Sequence, residues 1–199
     1  MDNNILKKIK TIIKNEDLSN GRALQEIAEL IDSAEKPNFA GKKPGDRFSY
    51  KGIEWVILGE EQGGVLCVTS KAICRKEFDK DGCNNWKDAS LRKYLNTEFV
   101  AKLNKDDLLT MECDLVADNG DKAYGKACNF VGLLSCDLYR KYRDIIPHYD
   151  SWVWTCTPWT CDPTLAHSVR GVATSGILYY NGTSNAHGVV PACIFILNR

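Results

Sequence analysis

Residues 46–58 read Asp46-Arg47-Phe48-Ser49-Tyr50-Lys51-Gly52-Ile53-Glu54-Trp55-Val56-Ile57-Leu58. Phe48, Tyr50, Ile53, Trp55, Val56 and Ile57 stand on either side of Lys51-Gly52, the pattern of two strands joined by a tight turn. Before this stretch the periodicity is helical. Ile5, Leu6, Ile9, Ile12 and Ile13 share one face with lysines opposite, and Ala23, Leu24, Ile27, Leu30 and Ile31 form a second stripe. Ser19 or Asn20 can cap that second helix and Pro37 stops it. Residues 1–36 therefore read as a helical hairpin, either packed on its own domain or serving to dock or oligomerise the chain. Asn38 to Gly45 reads as a Gly/Pro/Lys linker.

Downstream, Val65 to Thr69 reads as a strand, and a helix over about 88–104 follows Trp86, carrying Leu91, Tyr94, Leu95, Phe99 and Leu103. Val131 to Leu134 reads as a buried strand leading into a short helix capped by Ser135, with Leu138, Tyr139 and Tyr142 on it. Beyond Pro147 come Trp152 to Trp154, Val169 to Val172, Ile177 to Tyr180 and Ala192 to Leu197 as short strands between Gly, Asn and Ser turns. No internal repeat is apparent, and the class is α+β.

The chain has 199 residues, 26 basic and 26 acidic, for a formal net charge of zero. Neutrality without a basic run argues against nucleic acid or an anionic membrane as the main partner. No apolar stretch approaches the ~20 residues that would span a bilayer. Met1-Asp2-Asn3-Asn4 does not open a secretory signal, so the expectation is synthesis in the cytoplasm, with the chain kept there or packed into a virion. Nine cysteines without export and without a Cys-x-x-Cys read as free thiols rather than a disulfide framework or a zinc site.

The zero charge is an average. Only Asp162, Arg170 and Arg199 carry charge in 151–199, and that segment has no Lys, Glu, Gln or Met while it is rich in Trp, Tyr, Thr, Ser, Asn, Gly and Cys. Tyr and Trp give large contact area at low entropy cost and small polar groups adapt their hydrogen bonds, which is paratope chemistry. Trp159, Thr160, Asp162, Thr164, His167, Thr174, Tyr179, Tyr180, Asn181, Thr183 and Asn185 sit in or beside turns and are the expected ligand contacts. Trp152 and Trp154 share a strand parity and are expected in the core; Tyr179 and Tyr180 have opposite parity, so at most one points inward.

Four motifs in order carry a resemblance. They are Trp86-x-x-x-Ser90-Leu91-Arg92-x-Tyr94-Leu95-Asn96-x-Glu98-Phe99, Leu133-Leu134-Ser135-x-Asp137-x-Tyr139-Arg140-x-Tyr142-Arg143, Trp152-x-Trp154-x-x-Thr157-Pro158 and Gly188-Val189-Val190-Pro191-Ala192-Cys193. Together they resemble a bacterial and phage domain family ending in Gly-Val-Arg-Pro-Ala, and the C-type-lectin-fold variable proteins of diversity-generating retroelements. Val190 stands where that family has Arg, so a salt bridge made by the Arg is absent. The resemblance covers about 44–199. It implies a C-type-lectin-like domain with short antiparallel sheets and two packed helices, and a segment of about 151–190 diversified by adenine-directed mutagenesis. Such mutagenesis reaches Asn, Ser, Thr, Tyr, Asp, His, Gly, Ala and Cys but not Lys, Glu, Gln or Met. The implied partner is a protein or glycan on a cell surface, with no catalysis and no cofactor.

Calcium needs several hard oxygen ligands, and Asp162 is the tail's only carboxylate side chain. Cys156-x-x-x-x-Cys161 has the spacing of the two active cysteines in formylglycine-generating enzymes, which resemble this fold and hold Cu(I), so a copper oxidase is the enzyme alternative. A fixed structural domain is the other. His167, six residues from Cys161, makes a weak Cys-His hydrolase. His148 and the Lys/Asp run from Phe78 to Gly82 read as solvated.

Overall fold

A computed structural model describes residues 3–15, 18–34 and 36–197, leaving out the side chains of 3–5 and 29–34. Ile5, Leu30, Ile31 and Arg199, named above, thus have side chains outside the described residues. The chain divides into two compact units, residues 1–38 and 39–199.

The first unit is a pair of helices, α1 (Asn3–Ile13) and α2 (Asn20–Ala34), packed on one another. The Ser19 hydroxyl accepts from the Arg22 amide and caps α2. None of the described helices is long and apolar enough to cross a membrane.

The second unit mixes helices with mainly antiparallel sheets. Its strands are β1 (Arg47–Tyr50), β2 (Ile53–Glu61), β3 (Gly64–Thr69), β4 (Cys74–Glu77), β5 (Leu108–Leu109), β6 (Met111–Asp114), β7 (Lys126–Asn129), β8 (Val153–Pro158), β9 (Ser168–Val172), β10 (Leu178–Gly182), β11 (Ala186–Val189) and β12 (Ala192–Phe195). One sheet has the order β1-β2-β3-β12-β5, the second β10-β9-β8-β11-β4, and β6 pairs with β7. The expected hairpin closes with Tyr50 opposite Ile53; Lys51 (φ 50°) and Gly52 (φ 73°) both adopt the positive φ of a tight turn whose twist matches its strands. Phe195 of β12 is met edge-on by Phe48, Tyr50 and Trp55, with ring centroids 5.6, 5.4 and 5.2 Å away. Each such contact contributes about 0.5–1.5 kcal/mol beyond its buried area.

Two connections pass side by side from the first sheet to the second: β3 runs on to β4 and β11 returns to β12. Hydrogen bonds zip them together, from the Thr69 amide to the Pro191 carbonyl and from the Ile73 amide to the Val189 carbonyl. The buried Tyr149 hydroxyl donates to the Thr69 carbonyl at 3.1 Å. All nine cysteines are free; Cys67 and Cys193 face each other across β3 and β12, and burial pushes both thiols up, so they pack as small apolar groups.

Three expectations need correction. The linker is partly packed, because the Phe39 ring lies 5.2 Å from that of Phe48. Val131 to Leu134 is buried but forms only a bridge, Gly132 to Ala192; the amides of Phe130 and Val131 are taken by the Asn96 side chain, which also donates to the Val131 carbonyl. Asn96 lies in a helical stretch that begins as α3 (Ser90–Tyr94) and widens over Leu95–Phe99. The helix after Ser135 is α4 (Cys136–Tyr142), capped as expected by the Ser135 hydroxyl accepting from the Leu138 amide. Finally, Phe78 and Asp79 are buried rather than solvated. The Asp79 carboxylate accepts from the amides of Asp81, Cys83 and Ser90, satisfying donors that the turn and the start of α3 leave open. Asp79→Ala orphans all three, and the expected outcome is a loss of about 2 kcal/mol or more in denaturant unfolding. A loss within about 0.5 kcal/mol would show that water replaces the carboxylate.

Candidate ligand-binding surface

The second sheet carries most of the segment that is poor in charge. β10 is its edge, and Tyr179 and Tyr180 there are 51% and 38% exposed. Their rings stack at 5.1 Å and 15°, so neither points into the core. Tyr179 sits in one row with Gly171 and Trp154. A side chain at Gly171 would put a Cβ 2.9 Å from the Val153 carbonyl oxygen, so glycine lets the strands approach there.

From the stacked tyrosines the contacts run both ways. On one side Tyr179 meets Trp152 edge-to-face at 5.7 Å, and Trp152 stacks on His187, which in turn contacts Trp154 at 4.5 Å. Trp154 is buried against Phe78, and its indole N–H donates to the Lys76 carbonyl at 2.9 Å. The surface rings are thereby continuous with the core. On the other side Tyr180 meets Trp159 edge-on, and the Arg170 guanidinium lies 5.3 Å over the Trp159 ring. Arg170 stands opposite Tyr180 in the register and is ion-paired with Asp118, which Arg140 also approaches at 3.9 Å. The one described cation of the tail is thus neutralised by the scaffold.

Of the eleven expected contacts, Tyr179, Tyr180 and Trp159 are brought together in this array. Asp162, Thr164 and His167 are exposed on the loop before β9; the Thr164 amide and hydroxyl both donate to Asp162 and hold its carboxyl below the usual range. Asn181 is half-buried and accepts from the Gly182 amide and the exposed Asn185 side chain. Thr174 is exposed in the β9–β10 turn, at the opposite end of the hairpin from His167 and Asn185.

Two of the eleven are corrected. Thr160 is 5% exposed: its hydroxyl accepts from the Asp162 amide, and its carbonyl from buried Asn84, which also donates to the Ser168 carbonyl and so clasps both ends of the loop. Thr183 is 2% exposed, its carbonyl accepting from the amides of Phe78 and Asp79. Both threonines hold loops in place. Trp152, expected in the core, is half-buried because β8 starts one residue later, at Val153. Arg170 and the exposed Leu165 and Ile177 were also missed, and a single charge or aliphatic residue in a turn carries no periodic signal.

The pair Cys156 and Cys161 is buried, with different neighbours. The Cys156 thiol hydrogen-bonds with Cys113, and that contact together with burial pushes it well up; Cys161 reaches the Asp121 carbonyl. Among the described residues no group of three or more His, Cys, Asp or Glu is placed to hold a metal ion. A cleft of about 560 Å³ between β4 and α3 is lined by both signs of charge, Arg75, Lys76, Lys80 and Lys93 against Glu77, Asp81, Asp88 and Glu98. Comparison of the chain with family models, curated proteins and solved structures finds no match.

His187 gives the array a pH dependence. Its Nε2 is buried without a hydrogen-bond partner, and burial, then the nearby charge of Arg75, hold its pKa below 6.5. As pH falls, the unfolded chain takes up this proton before the folded one does. Stability is therefore undiminished above the unfolded value and drops below it. The expected outcome is a Tm that falls as the pH drops below about 6.5, with a smaller fall in His187→Phe. Equal slopes in both proteins would mean that His187 is solvated.

Proposed function

We propose that this chain is a ligand-binding protein, with a C-type-lectin-like domain over 44–199 whose C-terminal face, about 151–190, is diversified by a retroelement. The observation that carries the proposal is the surface array of exposed Tyr179 and Tyr180 with half-buried Trp152 and Trp159, on a segment almost free of charge. The missing Lys, Glu, Gln and Met of that segment are the residues adenine-directed mutagenesis does not reach, and the four ordered motifs support the lectin-like reading. Recognition proceeds by stacking and shape, with no bond made or broken. Tyrosine and tryptophan anchors are the side chains most enriched where binding energy concentrates. The partner is a protein or glycan on a cell surface, met from a phage tail or a similar particle. The hairpin of residues 1–36 docks the chain there or joins it to another copy.

Two measurements test the proposal. The DNA beside the gene is expected to hold a reverse-transcriptase gene and a near-copy of the 3′ coding end differing at adenines; their absence overturns the diversification. For a cell-surface ligand selected on the purified chain, Trp159→Ala or Tyr180→Ala is expected to weaken binding at least tenfold, about 1.4 kcal/mol, with Tm nearly unchanged. Unchanged affinity with a large fall in Tm would make these residues structural.

A further inference from the structure

We infer that the helical hairpin joins two copies of this chain, the basic α1 of each lying against the acidic α2 of the other. The inference rests on the self-association role proposed for the hairpin and is independent of the ligand-binding reading. Three observations carry it.

First, the described side chains of the hairpin leave part of its apolar face open. Every described side chain from Leu6 to Ala28 is half-buried or exposed; Leu6 is 36%, Ile13 67% and Leu24 68% exposed. Helices of 11 and 15 residues are marginal alone in water, and a pair in which no described side chain is fully buried gains from a cover. Second, the two helices carry opposite charge. Lys7, Lys8, Lys10 and Lys14 lie in or just after α1 with no acidic residue among them, whereas α2 has Glu26, Glu29 and Asp32 against Arg22. At 100° per residue, Lys8 and Lys10 border the stripe of α1 and Glu26 borders that of α2.

Third, a basic helix beside an acidic one is a surface complementary to itself. A two-fold axis running parallel to the helices sets each α1 on the other copy's α2, apolar stripe on apolar stripe, which is the isologous geometry of a dimer. The product is a four-helix bundle with charges alternating around it. A hairpin of one sign would repel its own copy.

Sedimentation equilibrium on the full chain tests this. The wild type is expected at twice the single-chain mass of 22.3 kDa, and Leu24→Glu at half of that doubled value. Because Leu24→Glu could simply melt the helix, charge variants provide the second arm. Lys8→Glu with Lys10→Glu in one protein, and Glu26→Lys in another, are each expected to run as single chains, and their equimolar mixture to regain the double mass. A wild type of single mass at every concentration overturns the inference. So does a Leu24→Glu protein that keeps the double mass, which places the contact elsewhere, or a mixture that stays single, which removes the charge pairing. None of these outcomes bears on ligand affinity, so the two readings fail separately.

Discussion

The two strand connections that cross between the sheets hold the second unit together. They run side by side, bonded through Thr69 and Pro191 and through Ile73 and Val189, and Tyr149 caps the pair from a third direction. Besides them, the backbone of residues 132–134 ties the sheets by bonding to Ala192 and to Cys156, and the remaining contacts are between side chains, which are not directional. With them, the aromatic cluster around Phe195 and the edge strand β10 belong to one backbone framework.

That framework explains how a surface of large rings can be exposed without being loose. Tyr179 and Tyr180 lean on Trp152 and Trp159; Trp152 rests on His187, which touches Trp154, and Trp159 rests on the Arg170–Asp118 pair. Each ring loses little further freedom when something docks, which keeps more of the contact energy for binding. The buried polar clasps work to the same end. Asn84 fixes the loop between β8 and β9, and Asp79 fixes the turn onto which Thr183 is bonded.

How much of this was legible depended on the range of the interactions. The β1–β2 hairpin was readable because alternation and a positive-φ turn are local properties of a dozen residues. The cap of α4 was readable for the same reason. The C-terminal cluster of rings was readable from composition, since Tyr179, Tyr180 and Trp159 sit in a segment where only Asp162, Arg170 and Arg199 carry charge. The burial of Thr160 and Thr183 was not, because their partners Asn84 and Phe78 lie 76 and 105 residues upstream in sequence. Nor was Asp79, whose carboxylate looks solvated in a Lys/Asp run until the amides of Cys83 and Ser90 fold back on it. Strands β4 to β7 have two to four residues each, too few for a period to register.

The place of β12 has a consequence for how the chain acquires its shape. It inserts between β3 and β5, more than a hundred residues after β3, and it supplies the ring on which the first sheet packs. A hairpin of β1, β2 and β3 can form early, but it must wait, with one edge unpaired, until that distant strand arrives. Long-range pairing of this kind slows folding and leaves intermediates open to wrong partners. Substitutions in the intervening loops change how long the open edge persists, so the tolerance of the C-terminal segment to change is set by folding rate as well as by the finished surface.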